Sequence, residues 1–145
     1  MNAAAEKTPP GWLSALVRVV LLFHLVSGAL RAYGALAQKD LLLEFGLPGW
    51  LPGYLLAVGL LGALLSLLGL ACTWRPGNLR LTAVWAALVF AIGSYWVERL
   101  FLWAPEQRAG SPLFKLGLQA LSVAAAALYT YNIKKWRQHA HGSGN

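Results

Sequence analysis

Five carboxylates, one cysteine and three histidines are all that this 145-residue chain offers of the residue types that carry most enzyme chemistry. The lone cysteine, Cys72, excludes an intrachain disulfide and a Cys-x-x-Cys redox pair. A membrane thiol oxidoreductase built on an internal pair goes with them. A haem held between two histidines inside a bilayer would need a second deep histidine beside His24. His139 and His141 stand instead in a C-terminal tail, too sparse for a metal site. No nucleotide-binding glycine loop, zinc-protease helix or serine–histidine–acid set occurs. No catalytic residue, cofactor or metal ligand is therefore expected, and the chain does not read as an enzyme.

Charge is scarce as well. Charged residues make up 12% of the chain, against about a quarter in an ordinary soluble domain. What replaces them is apolar: 58% of residues are hydrophobic. They fall in long runs near the roughly 20 residues that cross a bilayer. The expected fold is an all-α integral membrane four-helix bundle, with spans at about 13–33, 55–74, 81–103 and 113–133. Residues 1–12 read as an N-terminal tail and 134–145 as a basic, disordered C-terminal tail.

The first span carries Arg18, His24 and Arg31. A cleaved signal peptide is the rival reading, with Val19–Leu30 as its apolar core and Ala35-Leu36-Ala37 as a small-x-small site before Gln38. His24 within the core and Arg31 before the cut favour a span. Lys39–Phe45 is amphipathic and too short to cross, so it reads as an interfacial helix ended by Gly46. Leu47–Leu55 repeats a Leu-Pro-Gly-aromatic pattern and reads as a turn-rich entry to the second span. That span is uncharged. Its Gly59, Gly62, Ser66 and Gly69 are spaced for close approach of another helix.

The twelve basic residues are spread along the chain instead of forming one patch, so no nucleic-acid partner is expected. Their distribution orients the spans. Lys7, Arg18, Arg75, Arg80, Lys134, Lys135 and Arg137 fall on one side, and Arg31, Lys39, Arg99, Arg108 and Lys115 on the other. Seven against five places both termini in the cytoplasm of a multi-pass cell-membrane protein.

On this topology three helices bring polar groups toward the outer leaflet. His24 and Arg31 share a face of the first span. Ser94 and Glu98 share one on the third, with Arg99 beside them, and Lys115 and Gln119 share one on the fourth. A charge in the hydrocarbon costs about 2.5–3.5 kcal/mol by insertion scales, so Glu98 requires a partner, either Arg31 or Lys115. Two uses follow. The charges lock and anchor the helices, or they form a pocket for a lipid headgroup or small anion. The first is favoured, because most of these groups reach water by snorkelling. His24 lies deeper and reads as a satisfied core histidine before a proton carrier.

Tyr95-Trp96-Val97-Glu98-Arg99-Leu100-Phe101-Leu102, the Trp74-Arg75-Pro76-Gly77 turn and Ser111-Pro112-Leu113-Phe114 together resemble a group of small, uncharacterised four-span bacterial membrane proteins. The resemblance implies the fold and no activity. Leu16-Val17-Arg18-Val19-Val20 is similar to the opening of DoxX-like four-helix membrane proteins over one helix. The leading expectation is an accessory or structural membrane subunit. Its partners would be membrane lipids, other membrane-protein subunits or further copies of itself. The alternative is a small carrier or a lipid- or anion-binding protein.

Overall fold

A computed structural model describes residues 11–75, 79–103 and 111–142, apart from the side chains of 136, 137 and 139–142. The N-terminal tail through residue 10, the basic turn at 76–78, the loop at 104–110 and the last three residues lie outside the described residues. So do the side chains of the His-x-His pair. Every regular element among the described residues is helical: α1 (Gly11–Ala37), α2 (Lys39–Glu44), α3 (Leu51–Cys72), α4 (Leu79–Val97), a π-helical turn (Glu98–Leu102) and α5 (Pro112–Gly142).

Among the described residues, four helices are long and apolar enough to cross a membrane: Gly11–Ala37, Leu51–Cys72, Leu79–Leu102 and Pro112–Lys135. At 1.5 Å per residue the shortest reaches about 33 Å, enough for a hydrocarbon core of about 30 Å. Large side chains such as Leu30, Leu64, Leu68, Val89 and Phe114 remain exposed around these helices. A helix apolar on all sides needs an apolar surrounding, and lipid supplies it. The chain is a multi-pass membrane protein of the all-α, four-span class expected from its sequence.

Local chemistry explains where the helices stop. Between α1 and α2 the helical hydrogen bonding is nearly unbroken, Gln38 N–H reaching Gly34 O at 2.9 Å and Leu42 N–H reaching Gln38 O at 2.9 Å. At the end of α2, Gly46 adopts a left-handed φ of 72°. Gly46 N–H then bonds Leu43 O at 3.0 Å and Leu47 N–H bonds Leu42 O at 3.3 Å. This crossed pair caps the last carbonyls and needs a glycine at the turning point. Pro52 stands in the first turn of α3 and Pro112 opens α5, positions where the missing N–H costs nothing. So α3 begins at Leu51, inside the segment read from the sequence as turns. With no breaker after Ile133, α5 continues through Lys134 and Lys135 to Gly142, where the sequence suggested a disordered tail.

The described chain groups into two compact units. One holds residues 11–20 of α1 together with α5. Along α5, Ser122, Ala125, Ala126, Tyr129 and Ile133 form a buried stripe at helical spacing. Ser122 Oγ donates to Leu118 O at 2.9 Å and Thr130 Oγ1 to Ala126 O at 2.8 Å, so these hydroxyls are satisfied by their own helix.

The other unit spans residues 21–110 and holds the rest of α1, α2, α3, α4 and the π-helical turn. Here α1 and α3 meet backbone to backbone. A Cβ added to Gly28 would lie 2.8 Å from both Ala63 N and Gly59 O, and one added to Gly59 would lie 2.7 Å from Ala32 N. Gly28-xxx-Ala32 thus crosses Gly59-xxx-Ala63. Two of the other small residues singled out in α3 pack less tightly. A Cβ added to Gly62 would lie 3.5 Å from the Phe90 ring, and one added to Gly69 would lie 3.3 Å from both Ala83 O and Leu21. The crossing predicts that Gly28→Ala and Gly59→Ala each cost about 1–3 kcal/mol, because backbone must move. Gly93→Ala, which meets open space, should stay within about 0.5 kcal/mol of the parent. Thermal unfolding in detergent compares the three; equal melting temperatures would rule out a tight crossing.

Candidate functional site

At one end of the larger unit, three helices converge. Arg31 comes from the last turns of α1, Tyr54 from the first turn of α3, and Glu98 directly follows α4. Antiparallel connection makes this inevitable, because the end of α1, the start of α3 and the end of α4 face the same way. Glu98 is the single charged residue among the described residues that is buried, at 5% exposure. Its Oε2 accepts a hydrogen bond from Arg31 Nη2 in an ion pair that joins α1 to α4. Of the two candidate partners read from the sequence, Arg31 is the one in contact.

The remaining polar atoms of the pair are informative. Arg31 Nε and Glu98 Oε1 are buried and make no hydrogen bond. They are the two atoms that would form the second arm of an arginine–carboxylate fork beside the Nη2–Oε2 arm. A lysine presents one point charge and has no such second arm.

The backbone changes character at this residue. Trp103 N–H bonds Glu98 O at 3.1 Å, a five-residue step that widens the last turn into a π-helix. Arg99, next in sequence, turns away from the pair, and its Nη1 donates to the Tyr95 hydroxyl at 3.3 Å. The Tyr95 ring in turn meets Trp96 edge-on at 5.4 Å, and Trp50 meets Tyr54 the same way at 6.0 Å. Aromatic side chains of this kind suit a membrane–water interface.

The other residues read as candidates are placed as follows. His24 is half-buried on α1, two turns before Arg31, with its ring 5.6 Å from that of Phe23. Lys115 is exposed and Gln119 half-buried on α5, in the other unit. Sequence reasoning missed Gly28. Its role is to let α3 approach, and the signal was its four-residue spacing from Ala32. No three His, Cys, Asp or Glu side chains gather as metal ligands among the described residues.

Comparison with known proteins finds no match: no family model, no curated protein and no solved structure.

The pair makes a clear thermodynamic prediction. Glu98→Ala or Arg31→Ala leaves a buried charge unpaired and should cost about 3–5 kcal/mol, whereas Arg31→Met combined with Glu98→Leu should recover most of that loss. Arg31→Lys should fall between parent and Arg31→Ala. Chemical unfolding in detergent measures each variant; single variants within about 1 kcal/mol of the parent would refute a stabilising pair.

Proposed function

We propose that this chain is a non-enzymatic membrane protein, an accessory or structural subunit that packs against other membrane proteins or lipid. Its place is the bacterial inner membrane, with both termini cytoplasmic. The observation that carries this reading is the engagement of Glu98. The buried carboxylate bonds Arg31 through Oε2 and so ties α1 to α4.

Two further features support it. Along the α1–α3 seam, the Gly28–Gly59 backbone contact lies between the level of Arg31 and the level of His24. That contact leaves no room on this seam for water or a solute to pass from one level to the other. The sequence also lacks an acidic residue near mid-span, where a carrier coupled to ions would be expected to keep one. The resemblance of Tyr95–Leu102 to small four-span bacterial proteins supports the choice of membrane, and the excess of basic residues around the second loop and C-terminus supports the orientation.

Native mass spectrometry of the full chain, extracted gently from its host membrane, tests the proposal. The expected result is a heteromeric assembly with other membrane proteins, or the chain with nonstoichiometric lipid. A monomer or homodimer holding one lipid or small anion per chain, lost in Arg31→Ala, would replace it with the reading of a carrier or anion-binding protein.

A further inference from the structure

We propose that His24 and Ser66 form a hydrogen-bonded clasp between α1 and α3 at mid-span, the Ser66 hydroxyl donating to the imidazole Nε2. The inference starts from an exception. Ser94, Ser122, Thr73 and Thr130 each donate their hydroxyl to a carbonyl of their own helix, at 2.7–3.2 Å. Ser66 does not. Its Oγ is buried, in a residue only 1% exposed, and makes no hydrogen bond. A hydroxyl left unpaired in an apolar interior is costly, so a native partner is to be sought nearby.

The register of the two helices supplies one. Leu21 touches Gly69 at one end, and Gly28 touches Gly59 and Ala63 at the other. On α1, His24 lies between Leu21 and Gly28, three residues from the first and four from the second. On α3, Ser66 lies between Gly69 and Ala63, three residues from each. Steps of three and four keep to one helical face. Both residues therefore fall on the facing surfaces of an antiparallel pair, at the same level and between two close contacts. His24 Nε2 is itself buried. Neutral imidazole has one nitrogen that accepts and one that donates. With its proton on Nδ1, the ring presents Nε2 to Ser66.

The clasp differs in kind from the glycine crossing beside it. The crossing permits close approach but carries no directional side-chain bond. A directional bond fixes which turn of α1 meets which turn of α3. Arg31 lies two turns beyond His24 on the same face, so fixing His24 also fixes the level at which Arg31 presents itself.

The test uses the full chain in detergent micelles, with nitrogen-15-labelled histidine. The single intramembrane histidine should show the Nδ1–H tautomer, and Ser66→Ala should shift its Nε2 resonance. An Nε2–H tautomer, or a resonance unmoved by Ser66→Ala, would overturn the clasp. Stability provides an independent arm. In a double-mutant cycle with His24→Leu and Ser66→Ala, the pair should couple by roughly threefold in the folding equilibrium, typical of interhelical hydrogen bonds in membranes. Strict additivity would overturn it. If His24→Leu fails to fold, the resonance measurement on Ser66→Ala still decides.

Discussion

A carboxylate withdrawn from water beside a lipid phase must be neutralised where it stands, and in this chain Arg31 does so for Glu98. Each charge alone would be expensive. Together they are tolerable, and the tie between them runs from α1 to α4 across residues far apart in sequence. Much of the larger unit is arranged so that the two side chains meet. α1 is long enough to bring Arg31 to the level of the end of α4. The capped turn at Gly46 returns the chain so that α3 starts at the same level. The π-helical turn begins at Glu98 itself, so the carboxylate keeps the register of α4 while the residues after it widen away.

Between α1 and α3 the stabilising contacts are of another type. Lipid provides no hydrophobic drive for two apolar helices to associate, so packing must come from close backbone approach. Gly28 with Ala32 and Gly59 with Ala63 provide it, at distances that leave no space for even a methyl group. The polar side chains that remain within spans are mostly self-sufficient, bonding to carbonyls of their own helix. The unit is therefore held by these specific contacts together with the packing of α3 on α4, and much of its outer surface is apolar and exposed.

The fold class was legible in the sequence because its signal is long-range and redundant. Four apolar runs of membrane length, separated by proline, glycine and charge, admit few other readings. Helix ends were legible only where a residue forces them. Gly46 had to end α2, but Pro52 in a first turn is compatible with helix, and the basic tail contains nothing that stops α5. At the site, the need for a partner to Glu98 followed from burial cost alone. Which base would serve did not, because Arg31 and Lys115 are equivalent in depth and charge until the helices are packed. Gly59 was recognisable as a point of approach, while its counterpart Gly28 was masked by polar neighbours on the same face. The π-helical turn left no trace in composition, since five-residue hydrogen bonding depends on how the end of α4 is held and not on Glu98-Arg99-Leu100 as a motif.

Exchanging the two charges tests the central claim most directly. Arg31→Glu and Glu98→Arg should each lower the amount of folded protein recovered in mild detergent, since each places two like charges together. The double exchange restores opposite charges at the same two positions. Recovery of folded protein well above either single variant is the predicted result, measured by size-exclusion profile and thermal unfolding. A double exchange no better than the worse single variant would contradict the account, because the two side chains would then not depend on one another.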